Sequence, residues 1–184
     1  KSVFFSSTWR LSRFLTPEVQ SVIDGERALE SSALNAVILR PSMIYGPDDD
    51  RNISRLRSFL DRSWVVPIFG GGNQLVQPVY VIDVANAVVA CLERDEVSGR
   101  TYEIAGDYPI TYSEMIDVLC RLVGSTILKV YVPVFLALPF VQLASKVVPS
   151  LRVRVDQIRR MMEDRAFDIT AAREDLNYQP MGFE

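Results

Sequence analysis

Apolar positions in this chain fall into two kinds of run, continuous and periodic. Val3 to Ser6 reads as a short buried strand, and "NAVILRP" (Asn35 to Pro41) is an unbroken apolar run stopped by proline. A continuous apolar run of that length is the pattern of a strand buried on both faces in a parallel sheet. Between them, "TPEVQSVIDGERALESS" predicts a helix, with Thr16 as N-cap, Pro17 at the first helical position and Glu18 in the first turn. Val19, Val22, Ile23 and Leu29 share one face of it. Gly25 weakens it, by up to ~1 kcal/mol relative to alanine. Strand, helix and second buried strand make an α/β unit with a crossover helix.

The later pattern continues the alternation. "NISRLRSFLDR" predicts an amphipathic helix, and "VVPIFGGGNQLVQPVYV" two extended segments around a glycine turn. "IDVANAVVACLERD" reads as a helix with Asp83 near its positive end. "GRTYEIAG" reads as a strand. "TYSEMIDVLCRLVG" reads as a helix with Thr111 as N-cap, Glu114 completing a capping box and Gly124 as its stop. Val130 to Ser145 carries no charge but contains Pro133 and Pro139. It falls short of the about 20 apolar residues that span a bilayer, so a buried or interfacial segment is expected. The tail from Val153 alternates helix and turn.

Composition narrows the function. Apolar residues make up 48% and charged residues 23%, as in globular domains. A net charge of -3 with scattered cations argues against nucleic-acid binding. The chain has no histidine, which removes the commonest general base and metal ligand, and no metal site is expected. Cys91 and Cys120 both fall in apolar helical patterns and read as buried thiols in a reducing compartment. No signal peptide is visible, and the cytoplasm is the expected location. The opening "KSVFFSS" reads as the middle of a fold, with an upstream half expected.

Four stretches, taken in order, carry a resemblance. "ILRPSMIYGP", "GGGNQLVQPVYVIDVANAVVACLE", "GRTYEIAGDYPITYSEMIDVL" and "AREDLNYQP" resemble successive signatures of the extended short-chain dehydrogenases/reductases, the NAD(P)-dependent epimerase/dehydratase family. The resemblance implies an α/β fold: the C-terminal part of a Rossmann-like, doubly wound parallel sheet plus a smaller substrate-binding subdomain. Residues 1–47 would be a remnant of the dinucleotide-binding domain. Residues 48–184 would be mainly substrate-binding, with 74–92 returning to the Rossmann-like core. It also implies NAD or NADP as cofactor, held partly by upstream residues. The family's glycine-rich phosphate fingerprint has no counterpart here, since "FGGGNQ" does not lead into a helix.

The resemblance also assigns site residues. Ser7 matches the serine that hydrogen-bonds substrate, with Thr8 as its alternative. The family's acid/base tyrosine and its lysine four residues on align with Glu18 and Val22, and no Tyr or Lys lies between Lys1 and Tyr45. The usual pair is therefore missing. A phenol with a reference pKa near 10 needs that ammonium to ionise near neutrality. Glu18 is the substitute candidate, although a helix first turn favours its anion. Pro41, Ser42 and Met43 match the loop that passes the nicotinamide. Tyr45 and Gln77 are candidate substrate contacts. The arginine that grips a sugar-nucleotide diphosphate, seven residues before the Asp83 position, is replaced by Val76.

"QPVYVIDVANAVV" and the Pro-rich apolar segment resemble the atypical branch that includes the dehydrogenase-like accessory subunit of respiratory complex I. Three functions stay open. The chain is an NAD(P)-dependent oxidoreductase or isomerase on a small, apolar, non-standard substrate; or a non-catalytic nucleotide-binding structural, assembly or sensory protein; or a module that contacts a membrane surface peripherally. Homodimerisation is compatible with each.

Overall fold

The computed structural model describes residues 1–47, 53–124, 126–136 and 160–183. The chain divides into two compact units. One comprises Lys1–Ile53, Gln77–Pro109 and Ala166–Glu184, the other Ser54–Val76 and Ile110–Arg165.

The first unit is built on a parallel sheet. Strand β1 (Ser2–Phe5) leads through a 3-10 turn (Thr8–Leu11) into helix α1 (Pro17–Glu30) and then strand β2 (Ala36–Pro41). Thr16 caps α1 by accepting from Val19 N–H, as its sequence predicts. β2 is central, pairing in parallel with β1 on one side and with β7 (Thr101–Ile104) on the other. Its side chains alternate between faces. Val37 and Leu39 join the core beneath helix α3 (Val81–Glu93) and the short C-terminal helix α5 (Thr170–Leu176). Arg40, on the opposite face, meets α1. The sheet thus carries helices on both faces, the α/β arrangement expected. Two short strands, β3 (Ile44–Tyr45) and β6 (Val79–Tyr80), pair in parallel just beyond the end of β2.

The second unit holds α2 (Ile53–Arg62) from Ser54 on, then β4 (Val65–Phe69), β5 (Leu75–Val76), β8 (Ile110–Thr111), α4 (Tyr112–Val123) and β9 (Leu128–Val132). β4 and β9 pair in parallel, and β5 and β8 antiparallel. α4 carries the capping box of Thr111 and Glu114 and ends on Gly124 at φ 67, a left-handed value that glycine adopts freely.

Four expectations change. β1 is half-exposed rather than buried, with Phe5 51% exposed, because among the described residues a strand covers it on one side. Cys91 is buried, but Cys120 is only half-buried. The apolar run from Val130 opens as the end of β9, with Val130 40% and Tyr131 49% exposed rather than buried; residues 137–159, the rest of that run included, lie outside the described residues. The extended stretch after the glycine turn is broken at Gln77–Pro78 into two short strands that pair with different partners.

Candidate functional site

The end of β1 and the inward edge of α1 enclose an open groove of about 270 Å³, lined by Phe4, Phe5, Ser6, Ser7, Ser21, Val22 and Gly25. Val22, which the resemblance aligns with the family's lysine, forms part of its wall. A Cβ at Gly25 would make only ordinary contact with Phe4, so that glycine keeps the groove open rather than permitting tight packing. Glu18 is exposed in the first turn of α1 and does not line the groove.

Ser7 caps the 3-10 turn, its Oγ accepting from Trp9 N–H at 3.3 Å. A hydroxyl that accepts one bond still has a proton to donate. Thr8 is buried and donates to the Pro41 carbonyl at 3.2 Å. The turn is therefore fastened to the C-terminal end of β2. Beyond it, Ser42 N–H donates to Ile104 O, Ser42 Oγ donates to Gln77 O at 2.5 Å, and the Met43 carbonyl accepts from Val79 N–H. Parallel strands that end together leave their carboxyl ends and the following loops as the place for ligand contacts.

Gln77, 3% exposed, has both ends of its amide taken up by the protein. Nε2 donates to Gly106 O at 2.7 Å, and Oε1 accepts from Phe167 N–H at 2.8 Å. Its side chain ties three segments together. Tyr45 stacks obliquely on Tyr80, centroids 5.5 Å apart, and edge-on against Phe183 at 4.9 Å. Burial, joined by the charge of Asp83, pushes its phenol above the ordinary range, the wrong direction for a proton relay near neutrality. Asp83, buried in the first turn of α3, accepts from Met181 N–H at 2.9 Å and so holds the C-terminal segment.

The structure joins Ser7, Thr8, Pro41, Ser42 and Met43 in one linked set, with Gln77 bonded to its far side. It leaves Glu18 outside. It also reveals a cluster that residue-by-residue matching missed. Glu26, 1% exposed, receives Arg40 as a bidentate partner, Nε to Oε1 at 2.8 Å and Nη2 to Oε2 at 2.7 Å. Ser6 Oγ donates to Oε1 at 2.5 Å, and Arg10 Nε lies 3.3 Å from Oε2. Arg40 reaches on to Glu103 at 3.3 Å. Burial alone would raise the Glu26 carboxyl. The hydrogen bonds from Arg40 and Ser6 and the charges of Arg40 and Arg10 outweigh it and hold the group below its ordinary value. The signal was an arginine inside an otherwise apolar buried strand, which requires a partner, and a glutamate in register with Val19 and Ile23.

The 3-beta hydroxysteroid dehydrogenase/isomerase family matches residues 21–134, well over half of the sequence. The chain belongs to that family. Among curated relatives, subunit 9 of the NADH dehydrogenase [ubiquinone] 1 alpha subcomplex, mitochondrial, from Arabidopsis thaliana is 33% identical over 65% of this chain and 29% of its own length. The 2-alkyl-3-oxoalkanoate reductase of Shewanella oneidensis is 27% identical over 95% of this chain and 50% of its own. The solved UDP-glucuronic acid 4-epimerase of Bacillus cereus in complex with NAD superposes with a TM-score of 0.72 at 20% identity, covering 97% of this chain and 55% of that one. The chain thus spans about half, or less, of the length of the relatives it matches. The extended short-chain dehydrogenase/reductase resemblance and the Rossmann-type α/β fold are both supported by these matches.

Proposed function

We propose that this chain supplies the nicotinamide side of an NAD(P) site in a longer extended short-chain dehydrogenase/reductase, and that this site binds the dinucleotide without the family's usual proton relay. The carrying observation is the groove between β1 and α1. It presents the Ser7 hydroxyl but has a valine wall at Val22, and Glu18 lies outside it. The group fits in part: Ser7 and the Pro41–Met43 strip would border the nicotinamide end, while no described residue forms a glycine-rich phosphate cradle leading into a helix. When bound, the dinucleotide would supply hydride chemistry. This chain's own residues would orient it. Ser7 would hydrogen-bond a substrate carbonyl oxygen, but no phenol–ammonium pair stands in the groove to deliver the accompanying proton. A cofactor held for structural or sensory purposes follows.

A second reading is a reductase acting on a small apolar ketone. The Shewanella oneidensis 2-alkyl-3-oxoalkanoate reductase, which aligns with nearly the whole chain, favours it, as does Val76 in place of a diphosphate-gripping arginine. Fluorescence titration of NADH and NADPH into the natural full-length product, followed by an NADH-oxidation assay with 3-oxoalkanoates, separates the two. The first reading predicts saturable binding with no substrate-dependent oxidation. Oxidation with normal turnover would overturn it in favour of the second, and no binding of either dinucleotide would overturn both.

A further inference from the structure

Four segments meet on one carboxylate. α1 contributes Glu26 itself, β1's end contributes Ser6, the 3-10 turn contributes Arg10, and the end of β2 contributes Arg40. Every one of those partners adjoins a candidate site residue in sequence or lies in its turn. Ser6 precedes Ser7, Arg10 shares the turn with Thr8, and Arg40 precedes Pro41. A helix packed on a sheet by apolar contact alone would need no such group, since burying a carboxylate is costly unless it is fully paired. We propose that Glu26 is the positioning residue of this site, fixing the Ser6–Leu11 turn and thereby setting the Ser7 hydroxyl against the Pro41–Met43 strip. Its role in dinucleotide binding rests on the function proposed above; its role in placing the turn does not.

Two roles compete for this carboxylate. It either places the turn or only neutralises Arg40, and isosteric removal separates them. In Glu26→Leu/Arg40→Leu both charges vanish together, so the buried pair is replaced by apolar volume, a change that is often neutral or stabilising. Ser6 nevertheless loses its acceptor, Arg10 its counter-charge and Glu103 its contact with Arg40. The reporter is Trp9, which lies within the turn. The full-length product labelled with 5-fluorotryptophan is followed by 19F NMR, with the Trp9 resonance assigned by Trp9→Phe. If Glu26 positions the turn, the double variant melts within a few degrees of wild type, yet its Trp9 resonance shifts or broadens. NADH binding then weakens about tenfold or more, because small displacements of positioning groups are costly. A Trp9 resonance unchanged in position and width would overturn the proposal and reduce Glu26 to a partner for Arg40. Ser6→Ala leaves the ion pair whole and decides the same question should the double variant not fold: a moved Trp9 resonance supports positioning, and an unmoved one refutes it. If wild type binds no NADH, the cofactor proposal fails and the Trp9 comparison still decides the role of Glu26.

Discussion

Replacing Gln77 by leucine tests whether its side chain serves a ligand or the fold. Leucine keeps most of the volume and removes both polar ends. Gly106 O then loses its 2.7 Å donor and Phe167 N–H its 2.8 Å acceptor. An orphaned buried polar group costs about 1–3 kcal/mol. Phe167 is only half-buried, so water recovers part of its bond, and the pair together comes to about 2–4 kcal/mol. For a chain of this size each kcal/mol lowers the melting temperature by about 2–4 °C. Gln77→Leu is therefore expected to melt about 5–15 °C below wild type when followed by circular dichroism, with Gln77→Glu also destabilised, because a carboxylate cannot donate to Gly106 O. The Ser42 bond to the Gln77 carbonyl is a backbone contact and survives in both variants. An unchanged melting temperature combined with weakened ligand binding would refute the clamp and return Gln77 to the substrate contacts.

Gly106→Ala drives a Cβ into the Pro78 carbonyl, which is backbone and cannot rotate away; a loss of about 1–3 kcal/mol or more is expected by urea unfolding. Glu26 makes the fold acid-sensitive in a defined sense. Its folded carboxyl lies below the ordinary value, so its contribution is fully present above that value and is lost as pH falls through the lowered one. The acid limb of a stability–pH curve should accordingly flatten in Glu26→Leu/Arg40→Leu. Tyr102→Phe removes the 2.8 Å bond to Asp175 from a residue 1% exposed, and equilibrium unfolding should show a loss of about 1–2 kcal/mol. Glu18→Gln should leave NADH affinity within about twofold of wild type, since the exposed side chain lies outside the groove; a tenfold loss would put it back in the site.

Local chemistry made much of this fold legible. The Thr16–Pro17 start of α1, the proline stop of β2 and the Thr111–Glu114 box of α4 are each decided within a few residues, and all three occur where the sequence predicts them. β9 was hidden for the opposite reason. "LKVYV" borders an apolar stretch, and its partner β4 lies far back in the chain, so no local signal separates strand from helix there. β5 and β6 are two residues each, held by partners rather than propensity. The site divides in the same way. The Ser7–Thr8 turn and the Pro41–Met43 strip are stretches that the family resemblance singles out, and the structure bonds them together through Thr8 and the Pro41 carbonyl. The carboxylate joining them was not legible, because Glu26 and Arg40 make sense only once helix and strand are stacked.

The central claim is that the groove beside Ser7 and Val22 receives the nicotinamide end of a dinucleotide. Val22→Trp fills that groove from its wall without touching the buried face of α1 formed by Val19, Ile23 and Glu26. NADH titration of the natural full-length product and of this variant is the most direct measurement. Saturable binding is expected for wild type, with binding at least about tenfold weaker in Val22→Trp at a melting temperature within a few degrees. Equal NADH affinity in the two proteins would place the cofactor elsewhere and contradict the claim.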